Sequence, residues 1–221
     1  MENKRNYQRE LDEIIAHIDP EHPKKLLLHG CCAPCSSYVL EYLTDYFDIT
    51  IFYYNPNIYE YAEYQHRVAE MIRLISEQPY KHKPQFIEGT YEPERFYEVA
   101  RGLENEPERG RRCYECYKLR LTESARIAEK IGAEYFASTL SISPMKNAVW
   151  LNEIGENLQN DYNVKHLPSE FKKKNGYKRS IELSCEYCLY RQDFCGCIFS
   201  KNERDRRQRE KAAGQQDSAQ S

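Results

Sequence analysis

The chain carries nine cysteines, and they fall into four close groups along the sequence. Thiolates are the ligands that soft transition metals and iron–sulfur clusters prefer, whereas cysteines that merely fill a core have no reason to group in this way. The groups are Cys31, Cys32 and Cys35; Cys113 and Cys116; Cys185 and Cys188; and Cys195 and Cys197. This pattern predicts metal binding or redox chemistry.

The rest of the sequence favours metal ligands or redox groups over a disulfide framework. The N-terminal residues are polar and charged, unlike a secretory signal, and no apolar run reaches membrane-spanning length. We therefore expect a cytoplasmic protein, in a reducing compartment where structural disulfides are rare.

The first cysteine group follows an apolar run at residues 25–29, which predicts a buried strand. Pro34 favours a helix that begins directly afterwards. Successive side chains of a strand point to opposite faces, but at a turn the thiols of Cys31 and Cys32 can face one site. The positive end of the following helix stabilises thiolates or an anionic cluster.

The second group is a C-x-x-C motif at a predicted helix start, a spacing used by zinc sites, iron–sulfur clusters and dithiols alike. Together with Cys31 and Cys32, Cys113 and Cys116 supply four thiolates, which suit a structural zinc ion or a [4Fe–4S] cluster. An adjacent cysteine pair is unusual in a zinc knuckle, so the cluster is favoured.

The two remaining groups differ in what they predict. Gly196 permits a tight turn, so Cys195 and Cys197 can bind one metal ion or form a readily reduced disulfide. Cys185 and Cys188 form a further C-x-x-C motif, which could join a cluster ligand set or be a pair of incidental thiols. The incidental interpretation is favoured, and the pair is left out of the site.

The elements that must position these cysteines alternate between strands and helices. Strands are predicted at residues 25–29, 49–54, 85–88, 134–139 and 164–167, and helices at 7–18, 34–47, 61–77, 92–103, 114–131 and 147–158. This order predicts an α/β fold with a doubly wound, mainly parallel sheet. Such sheets bind ligands beyond the carboxyl ends of their strands, where the first cysteine group falls.

The length of 221 residues suits one domain, expected over residues 1–200 with a leading helix at 7–18 and a cysteine-bearing C-terminal segment at 177–200. Residues 201–221 contain no large apolar residue and are predicted to form a disordered polar tail. The net charge is −3, but one segment is locally basic, and it suits either phosphate binding or a solvated face. Its seven basic residues are Lys165, Lys172, Lys173, Lys174, Lys178, Arg179 and Arg191.

Taken in order, several segments resemble the QueH-type epoxyqueuosine reductases. They are HGCCAPCSSY at residues 29–38, YNPNI at 54–58, GLENEPE at 102–108, Arg112-Cys113 with Cys116-Tyr117 and Arg120-Leu121, Thr139-Leu140 with residues 142–144 and Lys146-Asn147, YRQ at 190–192, and CGC at 195–197 with Phe199-Ser200. The likeness extends from about residue 7 to residue 200. It implies a fold similar to the adenine nucleotide α-hydrolases.

The resemblance also implies a reaction, the last step of queuosine biosynthesis, in which the epoxide of epoxyqueuosine at the wobble position of a tRNA is reduced without cobalamin. By the same resemblance, Cys31, Cys32, Cys113 and Cys116 hold a [4Fe–4S] cluster, and Cys195 and Cys197 are a redox-active or metal-binding pair. The electron donor is unidentified.

Cys35 stands where some members of the family have Asp. Cys35, Cys195 and Cys197 are therefore expected to hold a second, mononuclear iron that acts as a Lewis acid on the epoxide oxygen. A reversible disulfide between Cys195 and Cys197 is the alternative role for that pair.

Two other classes of function remain open. A tRNA-thiolating enzyme or ATP pyrophosphatase needs an S-G-G-x-D-S loop after the first strand, and cysteines occupy that place. A zinc-stabilised RNA-binding module would contain zinc without sulfide.

Overall fold

A five-stranded, all-parallel sheet forms the centre of the computed structural model, which describes residues 5–219, with side chains described as far as residue 212. The strands are β1 (Lys24–His29), β2 (Phe47–Tyr53), β3 (Gln85–Glu88), β4 (Tyr135–Ser138) and β5 (Lys165–His166), in the order β3-β2-β1-β4-β5. Strands β2 and β3 lie on one side of β1, and β4 and β5 lie on the other. The predicted doubly wound α/β fold is therefore confirmed.

Helices cover both faces of the sheet. They are α1 (Tyr7–Ile15), α2 (Ala33–Leu43), α3 (Tyr61–Glu77), α4 (Pro93–Ala100), α5 (Arg111–Lys130), α6 (Ala148–Leu158), α7 (Gly176–Glu186) and α8 (Ile198–Ala219). On β1, Leu26 and Leu28 join the core beneath α1, α2 and α3, whereas Leu27 joins the core beneath α5 and α6. The alternation of side chains along a strand thus builds one core on each face.

The register of the sheet aligns three strand ends at one edge. His29, the last residue of β1, pairs with Phe52 of β2 and with Ser138 of β4. The strand order reverses between β1 and β4, and open α/β sheets form a binding crevice beyond the carboxyl ends at such a point. The first cysteine group begins two residues after His29 and therefore lies in this crevice.

Some helix boundaries differ from the prediction. The leading helix ends at Ile15 instead of residue 18, and α5 begins at Arg111, three residues earlier than expected. The earlier start places Cys113 in the first turn of α5. Within residues 5–219, no helix combines the length and apolar character needed to cross a bilayer.

The prediction of a disordered tail is wrong for residues 201–219, which continue helix α8; residues 220 and 221 lie outside the described residues. Composition misled the prediction because α8 is held by ion pairs and not by an apolar stripe. Lys201 pairs with Asp205 at 3.1 Å along the helix, and Arg204 pairs with Asp193 at 2.6 Å in the preceding loop. Pairs spaced by four residues stabilise a helix.

Candidate metal centre and active site

A cavity of about 450 Å³ lies beyond the carboxyl ends of β1 and β4. Cys31, Cys32 and Cys35 line it from the β1–α2 turn, and the loop at residues 142–146 forms one side. Residues 191–195 and the first turns of α8 close the opposite side. We call this cavity the cleft.

The thiols of Cys31, Cys32 and Cys35 form a compact triad. Their Sγ atoms all lie within 4.8 Å of one another, and those of Cys31 and Cys32 are 3.9 Å apart. Gly30 precedes the triad, and a Cβ there would lie 3.0 Å from Ile51 Cγ2 and 3.1 Å from Met71 Cε, so a larger residue would require these side chains to shift. Within the described residues, this triad is the one group of three or more potential metal ligands so close together.

Hydrogen bonds and contacts among the thiols set the protonation of the triad. Thr139 Oγ1 accepts from the backbone N of Cys31 at 3.1 Å and donates to its Sγ at 3.3 Å. Contact with the thiol of Cys31 and then that of Cys35 holds the pKa of Cys32 well below its usual range, whereas contact with Cys32 raises the pKa of Cys31 to about 12. Cys32 is therefore the first thiol to become a thiolate, the form that binds metal.

Four other thiols line a small adjoining cavity of about 20 Å³, those of Cys113, Cys116, Cys195 and Cys197. Burial raises the pKa of Cys116 to about 12 and that of Cys197 to about 11. Gly196 has a φ of +108°, and an added Cβ would lie 2.9 Å from Ile58 Cγ1. The predicted tight turn between Cys195 and Cys197 therefore depends on glycine.

The structure groups the predicted ligands differently from the sequence. It brings Cys35 to Cys31 and Cys32, and it brings Cys195 and Cys197 to Cys113 and Cys116, with Cys195 lining both cavities. The cluster set and the second-iron set described above both stay predictions. Cys185 and Cys188 are exposed at the end of α7 and line neither cavity.

Four buried cations lie around the thiols, and the sequence analysis assigned none of them a role. Within residues 5–212 they are the only buried Lys, Arg, Asp or Glu side chains, namely Arg67, Arg112, Arg120 and Lys146. Arg120 follows Cys116 by four residues and Cys113 by seven, so helical periodicity places all three on one face of α5. From the sequence, that spacing could have indicated that Arg120 lies beside the two cysteines. No comparable pattern marked Arg67, which resembled any polar residue of an amphipathic helix.

His29 is buried behind the triad. Its Nδ1 lies 2.8 Å from Ser138 Oγ, and its Nε2 lies 3.3 Å from Nε of Arg120. Burial and then the charge of Arg120 hold its pKa well below the usual range, so the ring is neutral.

The locally basic segment, which suited either phosphate binding or a solvated face, is divided in the structure. Arg191 lines the cleft, whereas Lys172, Lys173 and Lys174 line a second cavity of about 560 Å³, together with residues of α1 and the start of α6. Arg179 instead pairs with Glu41 at 2.6 Å.

The parallel sheet carries seven thiols and four buried cations at its carboxyl edge. These features define the class as an α/β protein whose site can bind a soft metal. The family model described as Epoxyqueuosine reductase QueH matches residues 26–203. The chain therefore belongs to the epoxyqueuosine reductase QueH family, a family of oxidoreductases.

Curated relatives that carry the same description align with this chain over most of their length. The Epoxyqueuosine reductase QueH of Staphylococcus epidermidis is 45% identical over 209 residues, which cover 90% of this chain and 87% of the relative. That of Acinetobacter baylyi is 38% identical, covering 85% of each chain. That of Thermotoga maritima is 33% identical, covering 81% of this chain and 91% of the relative.

Proposed function

We propose that this protein reduces the epoxide of epoxyqueuosine at the wobble position of a tRNA to the alkene of queuosine, the last step of queuosine biosynthesis. The observation that carries this proposal is the gathering of thiols at a cleft on the carboxyl edge of the sheet, in a chain of this family. A cleft of about 450 Å³ suits one extruded nucleoside and not a folded RNA.

The donor set fits an anionic iron–sulfur cluster. The lining of the two cavities offers thiols and buried cations, and clusters of this kind are held by four thiolates. Cys31, Cys32, Cys113 and Cys116 are the proposed ligands. Converting an epoxide to an alkene and water consumes two electrons and two protons. A bound [4Fe–4S] cluster would supply these electrons by single-electron transfer.

Cys195 and Cys197 are proposed to act beside the cluster, either with Cys35 as ligands of a second iron or as a dithiol. Cys195 lines both cavities, and Lys146 Nζ lies 3.2 Å from its Sγ. Oxidation of the dithiol to a disulfide would release two electrons and two protons, which matches the demand of the reaction. The iron content distinguishes the roles, because a second iron raises it from four to five per chain.

Basic residues around the cleft support a tRNA as the substrate. Since tRNA is modified in the cytoplasm, we propose that the protein acts there. Most of the basic residues at the two cavities pair with carboxylates, as Arg204 does with Asp193 and Lys174 with Asp12. Apart from the buried cations, the basic residues at the cleft come from residues 191–211, and the second cavity adds five more. They are Arg191, Arg204, Arg207 and Lys211, and Arg5, Arg9, Lys172, Lys173 and Lys174. Contacts between cations and phosphates make binding strongly dependent on salt.

Anaerobic purification tests the proposal, with iron and acid-labile sulfide measured on the wild type, Cys32→Ala and the matched control Cys185→Ala. We expect at least four iron and four sulfide per chain in the wild type and in the control, loss of both in Cys32→Ala, and reduction of epoxyqueuosine-containing tRNA by the wild type. Zinc without sulfide in the wild type would refute the proposal. An intact cluster in Cys32→Ala would refute the ligand assignment.

A further inference from the structure

Arg120 differs from the other three buried cations in lacking a carboxylate partner. Arg67 pairs with Glu63 at 2.7 Å, Arg112 with Glu203 at 3.7 Å, and Lys146 with Glu108 at 3.4 Å. The side chain of Arg120 is 2% exposed, and among the described residues no carboxylate oxygen lies within 4.0 Å of its guanidinium.

Neutral groups hold the Arg120 side chain in place. Its Nη2 donates to Oδ1 of Asn55, and Asn55 Nδ2 in turn donates to the carbonyl oxygen of Gly30 at 2.9 Å. Its Nε lies 3.3 Å from Nε2 of the neutral ring of His29. The guanidinium is therefore fixed next to the β1–α2 turn without being neutralised.

This position lies between the two groups of thiols. Arg120 shares the face of α5 with Cys113 and Cys116, and it lines the cleft together with Cys31 and Cys32. Burial alone would lower its pKa, but the thiols of Cys116, Cys195 and Cys31 outweigh that effect and raise it. The thiols that face Arg120 therefore belong to both groups.

An unpaired buried charge is costly, and arginine cannot escape the cost by losing its proton. Such a charge persists in a fold when a buried negative group compensates it. Thiolates that ligate an anionic cluster are such a group, and electron uptake makes the cluster more negative. A fixed cation stabilises the reduced state more than the oxidised state, by Coulomb attraction in a weakly polar interior.

We propose that Arg120 is the fixed countercharge of the iron–sulfur group and raises its reduction potential, so that the oxidised cluster accepts an electron more readily. This inference rests on the proposed function, which supplies the cluster. The charge that Arg120 contributes does not change with pH across the range in which the protein is folded, since guanidinium does not deprotonate there.

The experiment is a spectroscopic redox titration of the anaerobically purified holoprotein, after its iron and sulfide have been measured. Arg120→Met removes the charge, and Arg126→Met removes an exposed charge from the same helix, where Arg126 pairs with Glu123 at 2.6 Å. At a fixed applied potential, we expect Arg120→Met to lower the ratio of reduced to oxidised cluster at least tenfold. For a one-electron couple this corresponds to a decrease of about 59 mV in the reduction potential. Arg126→Met should titrate like the wild type.

A second variant keeps the inference testable if Arg120→Met does not fold. Asn55→Asp retains Arg120 but replaces the amide oxygen that accepts its hydrogen bond with a carboxylate oxygen. Because this carboxylate partly neutralises the guanidinium, the variant should also lower the reduction potential of the cluster, by a smaller amount than Arg120→Met. Wild-type potentials in both variants, or in Asn55→Asp alone if the other fails to fold, would overturn the inference. Absence of iron and sulfide from the wild type would instead refute the proposed function.

Discussion

Lys146 Nζ lies 3.2 Å from Sγ of Cys195, at the border between the cleft and the small cavity. Burial alone would lower the pKa of Lys146, but the thiol of Cys195 and other negative neighbours outweigh it and hold the pKa well above its usual range. The ammonium is therefore charged, and it donates a hydrogen bond to Sγ of Cys195.

Removal of this cation should impair turnover. A hydrogen bond to a charged group contributes about 1.5–3 kcal/mol, so Lys146→Met should lower kcat/KM on epoxyqueuosine-containing tRNA by about 10- to 100-fold. The matched control is Lys118→Met, which removes an exposed lysine from α5. Wild-type kcat/KM in Lys146→Met would show that the contact has no role in the reaction.

The turn at Gly196 should tolerate no side chain. Gly196→Ala adds both the strain of a positive φ and a contact of 2.9 Å with Ile58, so we expect a loss of about 1–3 kcal/mol in the free energy of unfolding and a lower iron content. Gly102→Ala is the control, because Gly102 has a φ of +79° but open space around its Cβ position. Equal losses in the two variants, measured by denaturant unfolding, would contradict a steric role for the turn.

Acid should destabilise the fold through His166. Burial lowers its folded-state pKa from 6.5 to about 3, so the unfolded chain binds the additional proton between these values. Stability therefore falls as the pH drops through that window, by up to about 1.4 kcal/mol per pH unit. His166→Phe should reduce this slope in denaturant titrations between pH 7 and pH 5, whereas His17→Phe, at an exposed position, should leave it unchanged. An unaltered slope in His166→Phe would exclude this residue as the cause.

Helix α8 should contribute to RNA binding, because its basic residues line the cleft. Lys211→Ala and Arg191→Ala should each raise KM for tRNA with little change in kcat, and should each reduce the slope of log affinity against log salt by about one. Lys178→Ala is the control, since this exposed lysine of α7 lines neither the cleft nor the second cavity. Equal salt slopes in the Lys211→Ala variant and the wild type would place α8 outside the RNA interface.

Local patterns predicted the sheet and the position of the cysteine turn. The apolar run that ends at His29 and the helix start at Pro34 are short-range signals, and both survive in the fold. The grouping of Cys35 with Cys31 and Cys32 depends on the geometry of one turn, and that of Cys195 with Cys113 depends on tertiary packing. Spacing along the chain brings Cys35 close to Cys31 and Cys32, but it does not encode the approach of Cys195 to Cys113.

The buried cations and α8 escaped prediction for related reasons. Arg67 lies on α3 among residues with ordinary amphipathic spacing, and only the packing of residues 194–196 against it removes it from water. Helix α8 has no apolar periodicity, and its pairing of Arg204 with Asp193 joins it to a loop outside the helix. Composition reports neither interaction, because each depends on a partner elsewhere in the chain.

The thiols that meet at the carboxyl edge come from positions as distant as Cys31 and Cys197. During synthesis the triad at the β1–α2 turn leaves the ribosome early, while Cys195 and Cys197 emerge only when the chain is nearly complete. N-terminal segments begin to fold first as a chain is made. The nascent protein therefore exposes the triad long before Cys195 and Cys197 exist. A second iron held by Cys35, Cys195 and Cys197, as proposed above, would be bound only when the chain is nearly complete.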